Sequence, residues 1–153
     1  MTNFFEGKTV AIAGGSGFIG TNYILELLER GANIVTHTHS RPLQVEDDRL
    51  TVVEKLDLET LEDCKQLVEG ADYVIHAGGR ICHPASVPTD VQVSIQNIKV
   101  TGNLLEASHK AGVKGFLDLN SSTGYPDIRR PLEEDEFWTD EPHEKYYGYG
   151  WMR

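Results

Sequence analysis

Residues 10–20 read Val10-Ala-Ile-Ala-Gly14-Gly-Ser-Gly17-Phe-Ile-Gly20, and this stretch decides the fold that the sequence predicts. The apolar run from Thr9 to Ala13 is typical of a buried parallel strand. Glycines then recur at the spacing G-x-x-G-x-x-G, and an amphipathic helix follows, with one apolar face formed by Ile24, Leu27 and Leu28. A strand, a glycine-rich turn and a helix in this order are typical of a dinucleotide-binding site.

Each of the three spaced glycines has its own reason to lack a side chain. Gly14 allows a sharp turn out of the strand, Gly17 allows the backbone to approach a pyrophosphate, and Gly20 allows helix and strand to pack closely. Backbone N–H groups at the helix start, at Phe18 and Ile19, would hold the phosphates together with the helix dipole. The alternative is an ordinary glycine-rich turn, but the flanking strand and helix favour the dinucleotide site.

Composition limits the possible partners and the cellular compartment. A chain of 153 residues fits one domain with a sizeable core, and 39% hydrophobic and 25% charged residues are typical of a globular protein. The net charge of −10 disfavours a nucleic acid or an anionic membrane as partner, but not a nucleotide held by local N–H groups. Cys64 and Cys82 are too few for a disulfide framework and predict free thiols. With no membrane-spanning run and no room for a signal peptide before Thr9, the cytoplasm is the expected location.

Strand and helix patterns alternate along the chain. Strands are predicted over residues 9–13, 33–37, 50–55, 73–77 and 116–119, and helices over 18–30, 61–69 and 91–111. The helices are predicted to stop at Gly31, Gly70 and Gly112, and the last helix carries Val91, Ile95, Ile98 and Leu105 near helical spacing. The acidic run 133–136 is expected to be a solvated loop. Repeated alternation predicts an α/β fold over residues 1–153, with a parallel sheet and helices on both faces.

The end of the second strand decides which dinucleotide the site would prefer. A carboxylate there usually bonds the adenosine ribose of NAD, whereas an arginine suits the 2′-phosphate of NADP. The segment Val35-Thr-His-Thr38-His-Ser40-Arg41 is followed by no carboxylate before Glu46. Thr38 and Ser40 can donate to a phosphate and Arg41 can pair with it, so the segment favours NADP, with NAD as the alternative. If Arg41 is only a solvated loop residue, this preference has no basis.

Two further segments end at the same edge of the predicted sheet. Asp57-Leu58 follows the third strand, where the carboxylate could meet an adenine amino group, cap the next helix, or do both. Ala77-Gly78-Gly79 ends the fourth strand, where small residues allow a ribose or diphosphate to pass closely, or simply form a turn. Ligands of parallel α/β sheets lie beyond the carboxyl ends of the strands, so these segments converge on one crevice.

A metal site is the weaker interpretation of the histidines. His37 and His39 would share one face of a strand, and Cys82 and His83 are the other candidate ligands. Cys82 and His83 lack paired metal spacing, and His39 lies where the 2′-phosphate is expected. We therefore expect no metal site.

Several segments together resemble the extended short-chain dehydrogenase/reductases, the NAD-dependent epimerases and dehydratases that act on nucleotide sugars. They are residues 14–20, the pair Asp57-Leu58, residues 71–76 and residues 97–107, which begin at Asn97. The stretch Asn120-Ser-Ser-Thr-Gly-Tyr-Pro126 resembles the Ser-rich strand end of that family, and its Tyr-Pro is similar to that of GDP-L-fucose synthases. The resemblance covers essentially the whole chain. It implies a Rossmann-type NAD(P)-binding fold with Asn97 among the cofactor contacts, and a homodimer of the full-length protein.

The resemblance also implies a Ser/Thr–Tyr–Lys arrangement for hydride transfer between nicotinamide and a sugar carbon. In that arrangement Tyr is the general acid/base, Lys lowers its pKa and holds the nicotinamide ribose, and Ser or Thr bonds the reacting oxygen. A phenol with a pKa of about 10 needs such a nearby cation to act as a base near neutral pH. The motif places the hydroxyl on Ser121, with Thr123 as a second polar contact and Ser122 as a poorer match.

The tyrosine of that arrangement matches the end of the chain. Tyr149-Gly-Trp-Met-Arg153 matches the family's Tyr-Gly-x-x-Lys spacing, which places both ends on one helical face. Tyr149 is therefore predicted to be the acid/base, with Arg153 in the Lys position. Arg153 departs from the family pattern, because a planar guanidinium is not interchangeable with an ammonium. A rival register uses Tyr147 but puts Trp151 in the place of the cation, and aromatic packing in a turn is the non-catalytic alternative.

Members of the family carry a further sheet region and a C-terminal part that binds the sugar nucleotide. The resemblance therefore implies that this chain is an N-terminal fragment or a truncated product, with apolar surface where the missing strands would pack. Two functions stay open. One is an oxidoreductase or epimerase acting on a nucleotide sugar, and the other is a non-catalytic NADP-binding sensor or scaffold of the same fold, which Arg153 and the missing part favour.

Overall fold

The computed structural model of the chain describes residues 3–81 and 91–152. Five strands form one sheet in the order β3-β2-β1-β4-β5, and each pairing is parallel. The strands are β1 (Thr9–Ala13), β2 (Asn33–Thr38), β3 (Leu50–Glu54), β4 (Tyr73–His76) and β5 (Gly115–Asp118). The predicted parallel α/β fold is confirmed.

The described residues form four α-helices, which are α1 (Phe18–Glu29), α2 (Leu61–Val68), α3 (Val91–Ala111) and the short α4 (Tyr147–Trp151). The first three end close to the predicted glycines, Gly31, Gly70 and Gly112. Between β5 and α4 lie three short 3-10 helices, at Ser122–Gly124, Glu134–Trp138 and Glu144–Tyr146. The acidic run 133–136 is therefore not a plain loop, because a capping box between Glu133 and Glu136 starts the second of these helices.

The side chains of β1 alternate between two apolar clusters, one on each face of the sheet. Val10 and Ile12 pack in the cluster that also holds Ile24, Leu27 and Leu28, the predicted apolar face of α1. Ala11 and Ala13 belong to the other cluster, which contains residues of α2 and α3, among them Leu67, Val68, Leu104 and Ala107. Since the fully buried strand has apolar neighbours on both sides, it reads in sequence as a continuous apolar run.

The apolar spacing in α3 predicted the helix correctly, but those residues are not the ones it buries. Val91, Ile95, Ile98 and Leu105 are all exposed, whereas Leu104 and Ala107 are buried. Consecutive helical residues point about 100° apart, so Leu105 faces away from the surface that Leu104 covers. The stripe of four apolar side chains remains accessible on the outside of α3.

The chain divides into two compact units. The first comprises residues 1–79 and 100–119 and contains the whole sheet, and the second comprises residues 80–99 and 120–153. No helix in the described ranges is long and apolar enough to cross a membrane.

Candidate functional site

The turn that follows β1 leaves no space for side chains. Gly14 has a left-handed backbone, with φ +85°, and a Cβ there would lie 2.6 Å from the Cα of Gly78. A Cβ on Gly20 would fall on the carbonyl oxygen of Gly14, so helix and strand approach as closely as the sequence predicted. Gly15, which the spacing argument did not use, is equally confined, because its Cβ would strike the Thr36 side chain. The doubled glycine in the sequence was the signal for it.

The start of α1 has the properties of an anion site. Gly17 is the N-cap of α1 and has no side chain that could accept from the first N–H groups. All residues of α1 are described, and none in its first turn is acidic. The first N–H groups of a helix lack intrahelical acceptors and lie at the positive end of the dipole. A Cβ on Gly17 would lie 3.2 Å from the Gly14 carbonyl oxygen, which is closer than most Cβ contacts. Phe18 is 87% exposed and Ile19 is also exposed.

The predicted nucleotide-selecting residues line a single cavity. Thr38, His39, Ser40 and Arg41 border about 430 Å³ of space beside the end of β2. Two charged residues that the sequence argument missed, Glu54 and Lys55, line the same cavity. Both follow from the parallel register, in which Thr38 lies opposite Glu54. This carboxylate belongs to β3, so the residues of β2 alone give no sign of it.

Asp57 and Leu58 occupy different environments. Asp57 is exposed, and its Oδ1 accepts the N–H of Glu59 at 3.0 Å. The helix α2 is capped by Thr60, whose hydroxyl accepts the N–H of Asp63, so the alternative that Asp57 is the N-cap is wrong. The reason is that the chain makes a turn after Asp57, with the Thr60 N–H donating to the Asp57 carbonyl, before the helix begins. The side chain of Leu58 lies in the core, which leaves only its backbone for a ligand.

The end of β4 lies beside the glycine-rich turn. Ala77 continues the pairing with β1 by donating its N–H to the carbonyl of Ala13 at 2.9 Å. Gly78 then passes against Gly14, and Gly79 is exposed. These small residues lie where the sequence placed them, at the carboxyl edge of the sheet next to the turn.

Two histidines are buried at that edge. The Gly14 N–H donates to Nε2 of His37 at 3.3 Å, and Nδ1 of His76 lies 2.7 Å from Oδ1 of Asp118. Burial lowers the pKa of His37, and the neighbouring His39 and His76 lower it further, while the Thr38 backbone acts in the opposite direction. In the described part of the chain, no group of three or more His, Cys, Asp or Glu side chains is arranged to hold a metal. Cys82 and His83 lie outside the described residues.

In the second unit, the two predicted hydroxyl groups are neighbours. Thr123 donates its hydroxyl hydrogen to Oγ of Ser121 at 3.2 Å, and its N–H lies 3.3 Å from the same oxygen. Asn120 accepts the N–H of Ser121 at 2.8 Å and so fixes the start of this turn. Ser122 is exposed.

The helix that carries Tyr149 packs on this turn. A Cβ added to Gly150 would lie 2.7 Å from the Thr123 carbonyl oxygen and would strike Pro142. Tyr149, the neighbour of Gly150, is buried, with 5% of its surface exposed. Arg153, the residue predicted to replace the family's Lys, lies outside the described residues.

The side-chain amide of Asn97 is bonded to the backbone of Arg80. Its Oδ1 accepts the N–H of Arg80 at 2.8 Å, and its Nδ2 donates to the Arg80 carbonyl at 3.0 Å. The amide therefore holds the backbone after β4. A contact between Asn97 and a cofactor stays a prediction.

A second cavity of about 400 Å³ lies beside Ser121. Aromatic residues Tyr125, Phe137 and Trp138 form one side of it, and the rings pack edge to face, with centroids 5.0 and 4.7 Å apart. Trp138 is 75% exposed. Sequence reasoning did not identify this cavity, because it took the chain before Trp138 for a solvated loop.

Comparison with known proteins gives consistent matches along the chain. The model of the "NAD dependent epimerase/dehydratase family" matches residues 10–150. UDP-glucose 4-epimerase of Schizosaccharomyces pombe is 32% identical over 86% of this chain and 39% of its own length. The epimerase Mth375 of Methanothermobacter thermautotrophicus superimposes with a TM-score of 0.81 at 24% identity, over 97% of this chain and 46% of that one.

A GDP-mannoheptose C4 reductase of Campylobacter jejuni, solved with NADP bound, superimposes with a TM-score of 0.77 at 23% identity, over 97% of this chain and 41% of that one. Because both identities are below 25%, these superpositions show only that this chain has the same fold as the two solved proteins. The chain spans about two fifths of the length of the curated relatives it matches.

Proposed function

The chain belongs to the NAD dependent epimerase/dehydratase family, and on that premise we propose that the full-length protein is an NAD(P)-dependent oxidoreductase or epimerase of the extended short-chain type, acting on a nucleotide sugar. The observation that carries this proposal is the hydroxyl pair of Ser121 and Thr123, with the helix of Tyr149 packed against the Thr123 carbonyl. A serine hydroxyl that a threonine orients and a tyrosine on the adjoining helix can bond one substrate oxygen.

The residues around the glycine-rich turn fit a dinucleotide. The crowding at Gly14 and Gly20 brings the uncapped start of α1 next to the strand ends, and Gly17 has no Cβ to hinder a pyrophosphate. The small residues Ala77 and Gly78 leave room for a ribose. When bound, the nicotinamide supplies the hydride acceptor or donor.

The hydroxyl residues would manage the proton. Tyr149 takes the proton from the substrate hydroxyl as the carbonyl forms, or returns it in the reverse direction. Ser121 donates a hydrogen bond to the same oxygen, and Thr123 orients Ser121 by bonding its Oγ. The buried position of Tyr149 limits access of water to this proton.

NADP is the cofactor that the cavity beside β2 favours. Arg41 and Lys55 are two cations at the place where a 2′-phosphate would bind, and Thr38 and Ser40 can donate to it. Glu54, which lines the same cavity, favours NAD instead, because its carboxylate can accept hydrogen bonds from the free ribose hydroxyls.

The aromatic cavity beside Ser121 supports a sugar as the reacting group. The exposed face of Trp138 offers an apolar surface of the kind on which a sugar ring packs, and Asn120 and Glu134 can bond hydroxyl groups. The cavity of about 400 Å³ is within the usual size of a small-molecule site.

The outer stripe of α3 supports pairing of two copies. Val91, Ile95 and Ile98 recur on one exposed helical face, and such a face is stable in water when another apolar surface covers it. A second copy in a symmetric dimer would cover it with the same residues.

The test is turnover by the full-length protein. Reduced and oxidised cofactor are each incubated with UDP- and GDP-hexoses and their 4-keto forms, and products are identified by mass and NMR spectroscopy. We expect conversion of at least one nucleotide sugar. Tight dinucleotide binding without conversion of any of them would instead support a non-catalytic sensor or scaffold.

A further inference from the structure

His37 and His76 flank the end of the central strand. Ala13 is the register partner of His76 on β4. Ile12 is the register partner of Thr36 on β2, so the next residue of β2, His37, lies level with Ala13. Both imidazoles are buried, with 9% and 5% of their residue surfaces exposed. The methyl side chain of Ala13 leaves space for two rings on this face of the sheet.

The hydrogen bond from Gly14 determines the state of His37. Because the Gly14 N–H donates to Nε2, this nitrogen is unprotonated, and the ring of a neutral histidine then carries its proton on Nδ1. Nδ1 has no hydrogen-bond partner among the described residues. The bond therefore exists only with neutral His37.

Protonation of His37 would place two donors face to face. A proton on Nε2 points at the Gly14 N–H, so the ring has to turn away and the amide loses its acceptor. Asp118, which lies at the same level of the sheet on β5, is already paired with His76. His76 itself and His39, which follows the end of β2, both disfavour a charge on the ring, whereas the Thr38 backbone favours it. The register partner of His37 on β3 is the apolar Val53.

Residues 14–20 form the phosphate loop, and the backbone of Gly14 contacts the rest of this loop directly. The Gly14 carbonyl accepts the N–H of Gly17 at 3.0 Å, and Gly20 packs directly on that carbonyl. A shift at Gly14 therefore moves the start of α1.

We propose that neutral His37 is a positioning residue of the phosphate loop, and that its protonation releases Gly14 and weakens dinucleotide binding in acid. The proposal deepens the proposed function and rests on it for the ligand, but the link between His37 and Gly14 is a property of the chain alone. Burial lowers the pKa of His37, which agrees with a bond that requires the neutral ring.

The link is tested first without any ligand. In the intact chain, the amide resonance of Gly14 and the ring nitrogens of His37 are followed by NMR from about pH 7.5 to about pH 5. We expect the Nδ1–H tautomer at neutral pH and a Gly14 shift with the midpoint of His37. His37→Gln keeps an acceptor oxygen without a titrating ring, so the Gly14 shift disappears, whereas His109→Gln, on the exposed end of α3, leaves it unchanged. If the Gly14 amide resonance does not shift when His37 titrates, the proposal is wrong.

Binding is then measured with NADH, because the 2′-phosphate of NADPH itself titrates at about pH 6. Below the His37 pKa of the free chain we expect NADH affinity to fall by about tenfold per pH unit, and by less than about twofold in His37→Gln. His37→Phe, which has no acceptor, should bind weakly at every pH. An equal pH dependence in wild type and His37→Gln contradicts the proposal. Failure of all variants to bind NADH and NADPH would contradict the proposed function instead, while the NMR result would still decide the link.

Discussion

Thr38 on β2 lies directly opposite Glu54 on β3, and the two share the cavity that contains Arg41 and Lys55. This cavity, which we propose to select the cofactor, thus combines two cations with one carboxylate. We expect their balance to set the cofactor preference, because cations attract a 2′-phosphate and a carboxylate repels it.

Arg41→Ala should weaken NADPH binding while leaving NADH binding nearly unchanged. Loss of one charge-assisted contact costs on the order of 1.5–3 kcal/mol, and only NADPH has the phosphate that makes it. Fluorescence titration with both nucleotides measures the change. The matched control is Arg49→Ala, since Arg49 pairs with Asp47 and does not line the cavity. Equal wild-type affinities for NADPH and NADH would contradict the NADP assignment.

Glu54→Gln should shift the preference further towards NADPH. The amide removes the repulsion of the 2′-phosphate and also the strongest acceptor for the free ribose hydroxyls of NADH. We expect the ratio of the two affinities to change by several-fold, on the order of 1 kcal/mol. Glu69→Gln alters the net charge equally, at an exposed position after α2, and should leave the ratio unchanged. A fall in NADPH affinity would assign Glu54 a bonding role.

Tyr149→Phe in the full-length protein should lower turnover by about 10²–10⁴-fold, because general acid/base groups contribute that much. The aromatic ring is retained, so circular dichroism and NADPH affinity should stay close to those of the wild type. Tyr147→Phe is the matched control and should change turnover by no more than a few-fold. If Tyr147→Phe is the inactive variant, the register is wrong by two residues, and if neither matters, the enzyme proposal fails.

Gly20→Ala and Gly102→Ala should have opposite effects on stability, although both replace a helical glycine. The Gly20 methyl would fall on the Gly14 carbonyl oxygen, and such overpacking typically costs about 1–3 kcal/mol. A methyl on Gly102 of α3 meets nothing within 4 Å among the described residues, so the better helix propensity of Ala should add about 0.5–1 kcal/mol. Urea unfolding of the chain gives both free energies. Equal effects at the two positions would mean that the contact between α1 and β1 is not tight.

The unfolding free energy should fall in acid through His37. Its pKa is lower in the folded chain than in the unfolded one, so the unfolded state binds the proton more readily. The stabilisation is therefore complete above the unfolded pKa of about 6.5 and is lost as the pH falls towards the folded value. Urea unfolding over this range should show a smaller decrease for His37→Gln. An identical slope in both chains would show that other groups cause the acid sensitivity.

The sequence predicted the positions of the strands and helices better than it predicted the contacts between them. The apolar run before Gly14 and the stops at Gly31 and Gly70 are local signals, so β1, α1 and α2 were identified within a few residues. Glu54 joins Thr38 only through strand pairing, and the exposed stripe of α3 depends on which helical face meets the sheet. Neither is encoded in residue spacing.

The candidate site divides in the same way. The closeness of Ser121 and Thr123 follows from two positions in one turn, and the sequence motif located both. The aromatic cavity forms because Trp138 lies beside Ser121, and no local sequence pattern predicts this contact. The Gly14–His37 bond likewise joins the turn after β1 to strand β2, so it was visible only in three dimensions.

The order of the strands has a consequence for how the chain assembles during synthesis. β1 precedes the other strands in sequence but occupies the middle of the sheet. Its pairing with β2 is possible as soon as Thr38 has been made, whereas its other edge must wait for His76. Until then the nascent chain presents an unpaired apolar edge, the kind of surface that chaperones cover. The β1–β4 pairing, with its long sequence separation, is therefore the slow step that we expect to limit folding of the sheet.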